Sequence, residues 1–238
     1  MTNLEAIARR ISRRSYLGTP LAPEQVSTLR ALIDGCNAQS GLHIQFIEDS
    51  SKAFKGLSKS YGMFSGVRSL LALVGKKTDT YLEEKLGYYG ELLVLEATKL
   101  GLGTCWVGGT FDAKSCPCEL AADERLVCVI PVGNVPSDTT LKEKTILGLV
   151  HRKTRPLTYF YTADAALPEW FIEGVKAVQR APSAVNHQPV HLNLQNGVVT
   201  ATLRSDGSPI DLGIAKLHFE LAAGGSFAEG NNAVFTKA

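Results

Sequence analysis

Apolar residues recur at helical spacing at Leu4, Ile7, Ala8 and Ile11, so the chain is predicted to open with a helix over 4–12. Pro20 and Pro23 then break it, and 24–36 reads as a second helix with Val26, Leu29, Leu32 and Ile33 on one face. Residues 42–48 alternate as a strand, 54–66 is a polar, glycine-containing segment expected to be partly helical, and 70–74 is a short apolar run suited to a buried strand. A long helix follows over 80–100. It is apolar on most sides through Leu86, Leu92, Leu93, Val94 and Leu95, which marks it as central, and Gly101-Leu102-Gly103 ends it. Residues 127–132 form another buried strand, 131–140 is rich in turn residues, and 148–155 crosses to a second half. That half carries predicted helices over 168–180 and 212–223 and strands over 191–194 and 198–204, and the glycine- and asparagine-rich tail from Gly224 reads as loose.

The order of elements repeats weakly. Leu21-Ala22-Pro23-Glu24 opens one helix and Leu167-Pro168-Glu169 another; Leu86-Gly87 and Leu95-Glu96-Ala97 on the long helix match Leu212-Gly213 and Leu221-Ala222-Ala223 on the last one. Coincidence among common helical patterns is the alternative. The predicted fold class is α+β: a mixed or antiparallel sheet flanked by helices, in two pseudo-symmetric halves, 1–150 and 151–238, intertwined into one domain.

With 238 residues, 45% hydrophobic and 20% charged, the chain is able to bury a sizeable core. A net charge of +2 gives no global attraction to nucleic acid or membrane. Basic residues do cluster locally, at Arg9, Arg10, Arg13 and Arg14 and again at Arg152, Lys153 and Arg155, as solvated helix ends or as phosphate-binding groups. The five cysteines are an odd number with no disulfide framework, which points to a reducing, cytoplasmic setting. Cys116-Pro117-Cys118 is too tightly spaced for a zinc knuckle and has no second pair, so no metal is expected. The N-terminus lacks the apolar core of a leader, and no run approaches the ~20 apolar residues of a membrane span.

Three motifs carry candidate chemistry. Arg13-Arg14-Ser15 places two guanidinium groups and a hydroxyl where a dianionic phosphate could be held, and Lys153-Thr154-Arg155 could add two cations. Gly101 to Gly109 is no dinucleotide fingerprint, because Trp106 stands at the third glycine position and no strand precedes it. Its small residues would instead let backbone approach a flat ring. Past the helix stop at Arg180-Ala181-Pro182, the short polar side chains of Ser183, Asn186 and Gln188 could bond a planar, heteroatom-rich ligand. Cys36 and Cys105 read as packing thiols, and of the five histidines only His187 falls inside a motif.

The sequence Ala-Pro-Ser-Ala-x-Asn-x-Gln-Pro at 181–189 resembles the flavin-contacting loop of the nitroreductase family of FMN-dependent oxidoreductases. Arg13-Arg14-Ser15 and Gly-Leu-Gly-x-x-Trp-x-Gly-Gly at 101–109 resemble two further motifs of that family. The resemblance implies that Arg13, Arg14, Ser15, Lys153 and Arg155 hold the FMN phosphate. It places the amides of Gly108, Gly109 and Thr110 at the flavin N5 edge, Pro182, Ser183 and Ala184 at the isoalloxazine ring and Asn186 at its polar edge, with Gln188-Pro189 shaping the turn. The motifs divide between the halves, as in the smaller branch of the family with a fused pseudo-dimer; one complete site would draw on both halves and the other would be degenerate.

The implied activity passes electrons from NAD(P)H through FMN to a small-molecule acceptor, a nitroaromatic or quinone, by a ping-pong route with no protein acid or base. The chain would be a monomer with an internal pseudo-dimer or a loose homodimer. One departure stands out: Leu17 occupies a position where many members carry a cation near the flavin N1–O2 edge, and Arg68 is the candidate substitute. Leu17 favours an alternative, a flavin-binding carrier or redox sensor with little turnover; a third reading is a flavin-free relative that serves as an interaction module.

Overall fold

The computed structural model describes residues 1–54, 63–150 and 153–238. Most of the 54–66 segment, and Arg152, lie outside these. The described helices are α1 (Asn3–Arg9), α2 (Pro23–Ser40), α3 (Leu82–Lys99), α4 (Leu141–Val150), α5 (Glu169–Gln179) and α6 (Pro209–Ala223). The described strands are β1 (Gln45–Ile47), β2 (Ser69–Lys76), β3 (Gly103–Thr104), β4 (Glu124–Gly133), β5 (Tyr161–Ala163), β6 (Val190–Gln195), β7 (Val198–Leu203), β8 (Gly225–Phe227) and β9 (Ala233–Lys237). They fall into an N-terminal unit, Arg9–Leu82 with Leu93–Val150, and a C-terminal unit, Met1–Ala8 and Glu83–Leu92 with His151–Ala238.

The N-terminal unit holds an antiparallel sheet in the order β1-β2-β4-β3. β2 is buried on both faces from Ser69 to Gly75, which is why its sequence is a continuous apolar run rather than an alternating one. Leu70, Ala72 and Val74 pack with Tyr16, Phe54, Phe64 and Cys105 in one core. The C-terminal unit holds a mixed sheet, β5-β6-β7-β9-β8, in which only β5 and β6 run parallel. Asn196 and Gly197, at φ of 52° and 77°, make the two-residue turn between β6 and β7, the conformation that Asn-Gly favours in tight hairpins. Against this sheet pack Phe171 of α5 and Phe219 of α6, their rings 5.8 Å apart edge to face, and Phe219 meets Phe235 of β9 at 5.0 Å.

The Leu-Gly pairs of the sequence repeat meet in the C-terminal unit, where Glu83–Leu92 of α3 crosses α6. A methyl group at Gly213 would land on the Glu84 carbonyl oxygen, and one at Gly87 on the Ile210 carbonyl oxygen. The two contacts exchange under a shift of 126 positions, 84 to 210 and 87 to 213, so the crossing is pseudo-twofold. Gly213→Ala is expected to force the backbones apart and to lower the unfolding free energy by about 1–3 kcal/mol in urea titrations. An unchanged midpoint would show slack at the crossing. A buried ion pair, Lys216 Nζ with Glu84 Oε1, and a buried hydrogen-bonded pair, His218 Nε2 with Glu91 Oε1 at 3.0 Å, flank it.

Several elements depart from expectation. α1 stops at Arg9 rather than Ser12, because Ser12 bridges Thr104 and the Arg13 amide donates to the Thr104 carbonyl, so this backbone bonds as a strand does. α4 was not expected, yet Thr140 and Glu143 form a capping box at its start: the Glu143 amide donates to Thr140 Oγ1 and the Thr140 amide to Glu143 Oε2. The tail is ordered into β8 and β9, because Phe235 belongs to the core and β9 pairs with both β7 and β8.

Candidate functional site

In the N-terminal unit the segment 13–17 is threaded between three fixed backbones. The Arg13 amide bonds the Thr104 carbonyl, Arg14 and Tyr16 bond the Ser65 backbone, and the Leu17 amide bonds the Asn134 carbonyl. Close approach is possible because residue 66 is glycine: with φ of +67° and the Tyr16 carbonyl against its Cα, no side chain fits there.

Glu143 organises the cationic motif. Its Oε1 accepts from Arg13 Nε at 3.1 Å, the Arg14 amide at 2.7 Å and the Ser15 amide at 3.1 Å. Arg13, only 6% exposed, also donates through Nη2 to the carbonyls of Pro136 and Asp138. Ser15 Oγ lies 3.1 Å from Thr140 Oγ1. Burial alone would raise the Glu143 pKa; the Arg14 and Thr140 amides, the Arg13 guanidinium and the Ser15 amide outweigh it and hold it at about 2. Thus Arg13 and Ser15 are engaged by an internal carboxylate. Arg14 differs: its guanidinium lies 5.1 Å over the Phe64 ring, and its Nε is buried with no hydrogen-bond partner among the described residues. Sequence reasoning missed Glu143; the signal that could have found it is Thr140-x-x-Glu143 before an apolar run.

The remaining predicted residues of this unit are open to solvent to different degrees. Gly108 and Gly109 are exposed, Thr110 is half-buried, and no described protein atom lies within 4 Å of where a side chain would begin at either glycine. Packing therefore does not require glycine there. Arg68 is exposed just before β2, and its carbonyl accepts from the Ser50 amide and hydroxyl. Leu17 is 55% exposed.

In the C-terminal unit, Pro182, Ser183, Ala184, Asn186 and Gln188 form one compact loop, and Lys153 and Arg155 are tied to it. Gln188 is buried; its Nε2 donates to the carbonyls of Lys153 at 3.1 Å and Asn186 at 2.9 Å, and its Oε1 accepts from the Arg155 amide at 2.8 Å. The Gln188 amide donates to Ser183 Oγ at 2.9 Å. These bonds hold a strained backbone: Val185, Asn186 and Gln188 sit at φ of 44°, 54° and 55°. For a β-branched residue such as Val185 that conformation is a genuine outlier, of a kind that clusters at ligand clamps. Asp211 at the start of α6 accepts from the Ala184 amide, and burial raises its pKa. A small cavity of about 10 Å³, room for about one water, lies beside Pro182, Ser183, Gln188 and Asp211. A larger one of about 200 Å³, beside Tyr88, Glu220 and Phe227, is lined by none of the predicted residues.

A family model described as "Putative TM nitroreductase" matches residues 3–223. The fold is shared with a "putative nitroreductase" from Thermotoga maritima at a TM-score of 0.65 and 23% identity, over 99% of this chain and 92% of that one. A nitroreductase with bound FMN from Bacteroides fragilis aligns over 58% of this chain and 91% of that one, at 15% identity and a TM-score of 0.44. An FMN-dependent nitroreductase from Clostridium difficile aligns over 63% of this chain and 98% of that one, at 16% identity and a TM-score of 0.45. No protein of curated function matches the chain.

Proposed function

The chain belongs to the family described as "Putative TM nitroreductase", and from that premise we propose that it is an FMN-dependent oxidoreductase. Electrons would pass from NAD(P)H to a nitroaromatic, a quinone or a similar small acceptor by a ping-pong route. The observation that carries this reading is the loop at 182–188, where three non-glycine residues are held left-handed by the buried Gln188. Strain of that kind persists where the surroundings over-determine it, commonly at a ligand clamp. Two further features fit FMN. The orphaned Arg14 Nε is a donor in want of an anion, and the space beside Gly108 and Gly109 would admit a flat ring to the backbone.

FMN, when bound, supplies the hydride and electron chemistry. The chain's own residues bind and orient. Arg14 would contact the phosphate, with Arg13 and Ser15 positioning it through Glu143, and Lys153 and Arg155 would add charge. The amides of Gly108, Gly109 and Thr110 would face the ring edge, with Pro182, Ser183, Ala184 and Asn186 against the ring. Gln188 is a positioning residue, since its side chain is spent on the loop and on the 153–155 backbone. Arg14→Ala is expected to weaken FMN binding by about 1.5–3 kcal/mol, a loss of roughly ten- to 150-fold in a fluorescence titration. Unaltered affinity would remove Arg14 from the site.

The exposed Leu17, where the family often carries a cation, favours a second reading, a flavin carrier or redox sensor. Anaerobic NADPH separates the two: rapid bleaching of bound flavin supports the enzyme, and persistent colour supports the carrier. Among the described residues no helix is long and apolar enough to cross a membrane. A cytoplasmic setting, and a monomer or loose homodimer, complete the proposal.

A further inference from the structure

Cys116 and Cys118 have no part in the flavin reading, yet the N-terminal unit holds them as a prepared pair. On the upstream side, Asp112 accepts from the Lys114 amide and from Ser115 Oγ at 2.8 Å, its own amide bonds the Ala53 carbonyl, and the Cys116 amide bonds the Ala113 carbonyl. Downstream, Gln45 clasps Glu119 from both sides: its Nε2 donates to the Glu119 carbonyl at 2.7 Å and its Oε1 accepts from the Glu119 amide at 2.8 Å. Pro117 fixes the backbone between the two anchors. Within this span the Cys116 thiol points its proton towards the Cys118 sulfur, and the Cys118 amide donates towards the Cys116 sulfur. Cys116 is buried in the core that contains Phe54 and Cys105, whereas Cys118 is half-buried and reachable from solvent. No disulfide joins any of the five cysteines.

We propose that Cys116 and Cys118 are a reversible dithiol–disulfide site that takes small disulfides of the glutathione class as its oxidant, independently of the flavin reading. The Cys118 thiol releases its proton to solvent, and its thiolate attacks one sulfur of the small disulfide. One thiolate leaves, and Cys118 carries the mixed disulfide. Cys116 then gives up its proton and attacks the Cys118 sulfur as the thiolate; the bond from Cys118 to the small thiol breaks, and the second departing thiolate takes up a proton. Two protein thiols are oxidised to one disulfide, and one small disulfide is reduced to two thiols. The anchors keep the two sulfurs adjacent before reaction, so closing the short ring orders little additional chain. The division of labour follows burial. Desolvation pushes the Cys116 thiol up to about 12, so it stays protonated until the mixed disulfide is presented to it. Cys36 and Cys105 are buried away from an incoming disulfide and follow no exposed cysteine in the chain, which leaves them poor competitors.

The tryptic peptide 115–125 contains these two cysteines and no others, which makes the test direct. The reduced full-length protein is incubated with oxidised glutathione, blocked with iodoacetamide and analysed by mass spectrometry. The expected wild-type peptide carries no alkyl group and has lost two hydrogens; dithiothreitol restores double alkylation. Cys116→Ser should trap glutathione on Cys118, and Cys118→Ser should yield neither adduct nor disulfide. Two results would overturn the site: a wild-type peptide that stays doubly alkylatable, or a lasting wild-type glutathione adduct at Cys118. Disulfide that forms only where Cys36 is alkylated too would trace the reaction to unfolding and overturn it as well. Circular dichroism on both serine variants checks that they fold; if Cys118→Ser misfolds, Cys118→Ala replaces it with the same expected result.

Discussion

Glu143→Ala is expected to destabilise the protein by about 3–5 kcal/mol, because it leaves the Arg13 guanidinium buried without its counter-ion. The arginine side chain is 7% exposed and the glutamate 1%, so water does not replace the lost carboxylate. The Arg14 and Ser15 amides lose their acceptor as well. The same group sets an acid limit. Glu143 titrates at about 2 in the folded chain against an ordinary value of 4.5, so the folded state binds that proton less readily than the unfolded one. Its contribution, about 3 kcal/mol at 1.36 kcal/mol per unit, is complete above the unfolded value and fades as pH falls from about 4.5 towards 2. Urea unfolding across that window should show wild type losing its advantage over Glu143→Gln. Parallel pH profiles for the two proteins would remove Glu143 from the account of the motif.

His218→Leu should have a comparable effect at the helix crossing. His218 and Glu91 are both fully buried, with Nε2 and Oε1 3.0 Å apart. The other ring nitrogen, Nδ1, donates to the Ala177 carbonyl of α5 at 3.0 Å, since a carbonyl only accepts. Removing the ring strips Glu91 of this partner in a dry site and is expected to lower the unfolding free energy by about 3–5 kcal/mol. The double variant Glu91→Leu with His218→Leu should recover much of that loss, because two apolar side chains leave no buried polar group stripped of the other. Additive losses in the cycle would mean that the two side chains act separately.

Local signals in the sequence reached a good part of the fold. β2 was legible because a strand buried on both faces leaves an uninterrupted apolar run, and α3 because its leucines fall on most sides of the helix; the Leu-Gly pairs at 86–87 and 212–213 marked the two helices as a repeat, and their crossing emerged only in the fold. Parts that depend on distant partners were not legible. Arg13 and Glu143 lie 130 positions apart, so the motif read as a free cationic cluster although one of its guanidinium groups is committed internally. The left-handed Val185 is equally hidden, because a β-branched residue gives no hint of a conformation that its hydrogen-bonded surroundings impose. The tail was misread from its glycines and asparagines, whereas Phe235 decides its fate by joining the aromatic cluster with Phe219.

The most direct test of the flavin reading is the visible absorption spectrum of the purified protein after incubation with FMN and desalting. The two visible bands of oxidised flavin are expected to remain with the protein in a near-stoichiometric amount, and Arg14→Ala to lose them on the same column. A colourless wild-type protein that is folded and still releases all its FMN would contradict the account.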